Sequence, residues 1–94
     1  MAYNVLLHER VQNDDIPSLP TDIRVRVKTA IETRLTTSPD QYGKPLRKWL
    51  AGYWKLRVGD WRVIYRIAAN DEVRVLIIAH RSRVYDMVLQ RIPS

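Results

Sequence analysis

The alternation of apolar and polar positions divides the chain into a few clear stretches. From Ala2 to Leu7, Tyr3, Val5 and Leu7 share one side and Leu6 closes the other, which predicts a first strand. His8 to Leu19 holds Val11, Ile16 and Leu19 among polar residues, and with Pro17 and Pro20 bounding it, it supports at most a short helix. Between Thr21 and Thr37 the period becomes helical. Ile23, Val27, Ala30, Ile31 and Leu35 stack on one face, Asp22 lies in the first turn where a carboxylate suits the macrodipole, and Ser38-Pro39 is a stop. Arg24, Arg26, Lys28 and Arg34 fall mostly off that stripe and read as a solvated face. Asp40 to Ala51 shows no period and is an expected ordered loop, anchored by Leu46 and Leu50.

Alternation returns from Gly52 to Ile67, where two runs of β-branched and aromatic residues flank Gly59-Asp60, a hairpin signal. Pairing Val58 with Trp61 sets Arg57 opposite Arg62, Lys55 opposite Ile64 and Tyr53 opposite Arg66 on one side of the ribbon. The other side then carries Trp54, Leu56, Val58, Trp61, Val63, Tyr65 and Ile67, a core face. After the Asn70-Asp71 turn signal, Val73 to His80 is apolar at nearly every position except Arg74, as in a central strand or one covered on both faces. Val84, Met87, Val88 and Ile92 recur at helical spacing and predict a terminal helix over 83–92.

The expected fold is α+β in the order β-α-α-β-β-β-α. It has a small, mainly antiparallel twisted sheet of four strands, backed by two N-terminal helices on the Trp54/Trp61/Val63 side, and a short C-terminal helix. The cationic side of the hairpin is expected to stay open. Two arginines directly opposite each other disfavour a sheet, so Lys55, Arg57, Arg62 and Arg66 together with Tyr53 point to an anionic partner rather than to solvation alone. Lys44, Arg47 and Lys48 would extend that surface.

A length of 94 residues with 46% hydrophobic and 28% charged positions fits a single globular domain and excludes a disordered basic peptide. The net charge of +6 favours nucleic acid, a polyanionic surface or an acidic protein partner. The absence of cysteine removes disulfides, thiolate metal sites and cysteine nucleophiles, and His8 and His80 are too few and too far apart in sequence to predict zinc. No cofactor is expected. Without a signal-like N-terminus or a run of about 18 apolar residues, the expectation is a cytoplasmic protein with no membrane partner.

Two segments carry a more specific pattern. One is L-R-x-G-x-x-R-x-x-Y-R, formed by Leu56, Arg57, Gly59, Arg62, Tyr65 and Arg66; the other is H-R-x-x-V-Y, formed by His80, Arg81, Val84 and Tyr85. With the element order, they make the chain resemble the RelE/ParE superfamily of toxins from toxin-antitoxin pairs, most closely the RelE branch. The resemblance implies a ribosome-dependent mRNA endonuclease that uses the ribose 2′-hydroxyl as nucleophile without a metal. The implied partners are a cognate antitoxin in a hetero-oligomer and mRNA in the ribosomal A site. The ParE branch keeps the fold and poisons DNA gyrase instead, and a plain nucleic-acid-binding module is a third reading.

Carried over residue by residue, the resemblance gives Arg62 the stabilisation of the transition state and matches Arg81 and Tyr85 to the family's later arginine and tyrosine, with Arg83 as the alternative arginine. The RelE branch has a Lys-x-Lys pair before the hairpin turn. Here Tyr53 stands in the first position and Lys55 in the second, so the proton acceptor lies among Lys55, His80 and Tyr85. His80 reads equally as a base beside Arg81 or as a hydrogen-bonded cap on its strand. Tyr85 can move a proton, stack on an unpaired base or anchor the terminal helix.

Overall fold

The structure is a computed structural model describing residues 2–92. Five strands form one sheet: β1 (Asn4–Leu7), β2 (Lys44–Pro45), β3 (Tyr53–Val58), β4 (Trp61–Ala68) and β5 (Glu72–His80), in the order β1-β5-β4-β3-β2. Only β1 and β5 run parallel. The helices are α1 (9–18), α2 (21–35), α3 (Pro39–Tyr42) and α4 (Val84–Arg91).

The hairpin has the expected register, from Tyr53 opposite Arg66 to Val58 opposite Trp61. Gly59 takes a φ of 60° while Asp60 stays negative, the pattern of a type II′ turn whose twist matches the strands. At the β4–β5 turn, Asn70 and Asp71 are both left-handed, a conformation their short polar side chains tolerate.

The 40–51 stretch departs from the expected loop. It contains α3, a turn of 3-10 helix at Lys48–Leu50, and the edge strand β2, which raises the strand count from four to five. Two residues are too few to show a period, so β2 was invisible in the sequence. What holds it is tertiary: buried Tyr65 donates its hydroxyl to the Pro39 carbonyl at 2.5 Å, and Gly43 lies against that hydroxyl, where even a Cβ would come within 1.8 Å. Burial, with the Asp40 charge as a lesser cause, pushes the Tyr65 phenol well above its usual range. The helix expected over 21–37 ends at Leu35, where the hydroxyls of Thr33, Thr36 and Thr37 bond back to carbonyls four residues earlier.

The main core lies between the sheet and α1–α2, with Leu56, Val58, Val63, Tyr65, Val75 and Ile78 meeting Val11, Leu19, Val27, Ala30 and Leu35. A second cluster occupies the face expected to be open. There, Val84 and Val88 of α4 and Ile92 just after it pack on Ile64, Ile77 and Ala79, together with Leu50, with Tyr53, Leu46 and Met87 at the margin. Ile64 stands among the cations in the hairpin register, and its burial is what draws α4 across that face.

The β1–β5 pairing stops at Leu7 opposite Val75, leaving the second half of β5 with bare backbone groups on that edge. Asp15 accepts the Ile78 N–H at 2.9 Å, and Arg91 donates to the Leu76 carbonyl at 3.1 Å. The same two side chains form a bidentate pair, with contacts of 2.6 and 3.1 Å, that ties α1 to α4.

Candidate functional site

Sheet register sorts the proposed residues into rows. In one row Lys44 faces Lys55, which faces Ile64. Towards the hairpin tip, Arg57 faces Arg62, which faces Ala79. At the far end Tyr53, Arg66 and Arg74 stand side by side. Arg62 and Arg66 are four residues apart, roughly 13 Å along the strand, with α4 packed over Ile64 between them. The cationic side is therefore two patches separated by a helix.

The N-terminal turn of α4 brings Tyr85 to the first row. Lys55 Nζ lies 3.5 Å from the Tyr85 hydroxyl, at the limit of a hydrogen bond. Tyr85 is half exposed, so it does not serve as the helix anchor; Val84 and Val88 do. Arg62 folds over the hairpin turn and donates through one terminal nitrogen to the Gly59 and Trp61 carbonyls, both at 2.9 Å. A guanidinium has five donors, so Nε and the other terminal nitrogen remain for an anion. Arg81 meets the same turn: its N–H donates to the Asp60 carbonyl at 2.8 Å and its guanidinium stands 3.7 Å from the Asp60 carboxylate, in water. Arg26 of α2 approaches the tip from below, 3.1 Å from where a Cβ on Gly59 would be. Tyr85, Lys55, Lys44, Arg57, Arg62 and Arg81 thus share one surface at the turn end of the hairpin.

Other residues proposed from sequence lie elsewhere. His80 pairs with Trp61 and packs edge-on against its ring at 5.3 Å, which turns it to the helix-covered side, away from Lys55 and Arg62. Its Nδ1 accepts the Ser82 N–H at 3.2 Å and lies 2.8 Å from the Ser82 hydroxyl. That is the strand-cap geometry, and the reading of His80 as proton acceptor loses its support. Arg83 also leaves the group, lining with His80, Trp61, Gln90 and Arg91 a cavity of about 500 Å³ between α1 and α4. Tyr53 is half-buried against the second cluster and, with Arg66 and Arg74, lines a cleft at the far end, away from Arg62. Arg47 and Lys48 are exposed on the 3-10 turn, where Lys48 holds a φ of 57°.

Sequence reasoning missed Arg74, which completes the far row and is paired to Glu72 at 2.6 Å, and the Asp15–Arg91 pair. The alternation of β5 carried a signal for Arg74. Nothing local distinguished Asp15 from the other acids of its segment. Among the described residues there is no cluster of His, Asp and Glu that could hold a metal, and no helix long and apolar enough to cross a membrane.

The family model for the ParE toxin of type II toxin-antitoxin systems matches residues 5–85. The chain belongs to the RelE/ParE superfamily of type II toxins. Within the superfamily it is RelE-like. It is 36% identical over 74 residues to Toxin RelE of Mycobacterium tuberculosis, spanning 78% of this chain and 76% of that one. To Toxin RelG of the same organism it is 38% identical over 74 residues, spanning 76% and 83%. The toxin-antitoxin complex RelBE2 from Mycobacterium tuberculosis superposes with a TM-score of 0.80 at 33% identity, covering 86% of this chain and all of the other. The isolated Escherichia coli RelE toxin shares the fold at a TM-score of 0.69 and 21% identity, covering 98% of this chain and all of the other. In this chain the first signature segment lies along the hairpin and the second runs from the end of β5 into α4, where Tyr85 meets Lys55, the residue just before the first segment.

Proposed function

We propose that the chain is a ribosome-dependent mRNA endonuclease, and that the surface between β3, β4 and the start of α4 carries its chemistry. The observation that carries this reading is the approach of the Tyr85 hydroxyl to Lys55 Nζ, in the row next to Arg57 and Arg62. Cleavage needs a group to take the proton of the ribose 2′-hydroxyl, which then attacks the adjacent phosphorus. The 5′-oxygen leaves with a proton, and a 2′,3′-cyclic phosphate remains. Lys55 and Tyr85 serve as the proton-exchanging pair. Arg62, through its unused donors, neutralises the charge that grows on the non-bridging oxygens, with Arg81 and Arg57 as supporting cations. Lys44 and, at the margin, Arg47 and Lys48 hold the flanking backbone. No metal is needed for any of these steps.

As a RelE-like toxin the chain acts in the cytoplasm and is held inactive by a small antitoxin; relatives have been solved as toxin-antitoxin complexes. The test is to add the purified chain to translating ribosomes and map new mRNA ends. Cuts within codons, lost in Arg62→Ala and Tyr85→Phe variants that remain folded, are the expected result; no new ends with the wild-type chain overturns the reading. The matching family model carries the ParE name, and the activity implied by resemblance to the ParE branch, poisoning of DNA gyrase, is the second reading. That reading predicts trapped, cleaved DNA with intact mRNA in the same preparation.

A further inference from the structure

Apolar contacts hold α4 on the sheet through Val84, Val88 and Ile92, a narrow stripe of aliphatic side chains. Such contacts have no direction and by themselves define the roll of the helix less sharply than hydrogen bonds do. Tyr85 and Arg91 are six residues apart, so they project about 120° from each other around the helix axis. They flank the apolar stripe on opposite sides. On the Arg91 flank the contacts are directional. The guanidinium forks onto both Asp15 oxygens at 2.6 and 3.1 Å and reaches the Leu76 carbonyl at 3.1 Å, while Asp15 is itself fixed by the Ile78 N–H. Both side chains are buried, at 8% and 2% exposure, at the wall of the cavity beside His80. On the opposite flank, Tyr85 is half exposed and touches Lys55 at the limit of bonding distance, a contact too weak to set the helix orientation itself.

We propose that the Asp15–Arg91 pair is a latch that fixes the roll of α4, making Asp15 and Arg91 positioning residues for the Tyr85 hydroxyl at Lys55. Asp15 lies on α1, on the far side of the sheet from Tyr85, so the latch carries the position of the first helix through the β5 edge to the proposed site. A planar fork suits this role because it resists rotation where a single lysine contact would pivot. The consequence for cleavage rests on the endonuclease reading; the mechanical role does not.

The experiment uses the labelled full chain and three variants: Asp15→Asn, which keeps an acceptor for the Ile78 N–H; Arg91→Lys, which keeps the charge but loses the fork; and Lys55→Met, which marks where the Tyr85 ring resonances fall without their partner. In both latch variants the Tyr85 resonances are expected to move most of the way to their Lys55→Met positions. The amides of Met87 to Arg91 should exchange about tenfold faster or more, while those of Val63 and Tyr65 in β4 stay within about twofold, because the latch governs a local opening. With translating ribosomes, turnover should fall about tenfold with KM within about twofold, as for lost orientation rather than lost binding. Unmoved Tyr85 resonances, or equal loss of protection in α4 and β4, overturn the proposal. If Asp15→Asn does not fold, Arg91→Lys decides. If the wild-type chain cuts no mRNA, the endonuclease reading falls, and the resonance and exchange measurements still judge the latch.

Discussion

Replacing Gly43 by alanine tests whether a steric lock holds β2 beside the candidate site. An added Cβ would stand 1.8 Å from the Tyr65 hydroxyl oxygen, 2.8 Å from its ring carbon and 3.2 Å from the Pro39 carbonyl. Tyr65 has no exposed surface and stacks on Trp54 at 6.5 Å between ring centres, so the ring cannot retreat. Either the hydroxyl gives up its bond to Pro39 or the 39–45 segment lifts away. Overpacking of a tight core costs about 1–3 kcal/mol, and loss of a buried hydrogen bond adds about 1 kcal/mol. Gly43→Ala should therefore destabilise the chain by about 2–4 kcal/mol, measured by urea unfolding at pH 7. Tyr65→Phe alone should cost about 1–1.5 kcal/mol, through the lost hydroxyl bond, which leaves the Pro39 carbonyl with only the longer Gly43 N–H contact at 3.3 Å. The double variant should cost less than the sum by about 1 kcal/mol, since the closest clash is with the missing oxygen. Relief stays incomplete because the ring carbon remains too near. Gly43→Ala within about 0.5 kcal/mol of wild type, the range of a neutral surface change, or strict additivity, would refute the lock. Since Lys44 follows Gly43 and faces Lys55, a lifted segment should also weaken RNA binding more than Tyr65→Phe does.

Other consequences follow from the same geometry. Lys55→Met and Tyr85→Phe should each lower the mRNA cleavage rate by about a hundredfold or more, the size of a lost proton-transfer group, whereas His80→Gln, on the other side of the sheet, should stay within about threefold; an equal loss for His80 would return it to the proton path. Tyr65 is held protonated by burial, so its contribution is fully present below the ordinary tyrosine pKa and is lost as pH rises above it, because the unfolded chain ionises first. Unfolding free energy should then fall by up to about 1.4 kcal/mol per pH unit above about pH 10 from this group, and Tyr65→Phe should remove that part of the slope. Lys48→Gly should stabilise the chain by up to about 1 kcal/mol in thermal unfolding, since its φ of 57° disfavours a side chain. Binding to single-stranded RNA should weaken linearly in logarithmic salt, and removing Arg57 or Arg62 should reduce that slope by about 0.7 each.

What the sequence determined was whatever depends on neighbours along the chain. Period-two alternation about Gly59-Asp60 was enough to give the hairpin register pair by pair, and the three-and-four spacing of Ile23 to Leu35 gave α2, because side-chain direction follows from local backbone geometry. The signature arginines could likewise be placed on one side of a ribbon before any fold was known. Tertiary structure decided which of them meet. A two-residue strand has no period, so β2 is set by its pairing with β3 and by Tyr65 reaching back 26 residues to Pro39. Ile64 looked like an exception on a polar face until α4 covered it, and that covering split the cations and carried Tyr85 to Lys55. His80 and Arg81 are adjacent in sequence, yet the pleat sends His80 to the ring of Trp61 while Arg81 turns to Asp60. Asp15 and Arg91, 76 positions apart, have no local pattern at all. Their pairing is set by where β1 stops and leaves the backbone of β5 in need of partners.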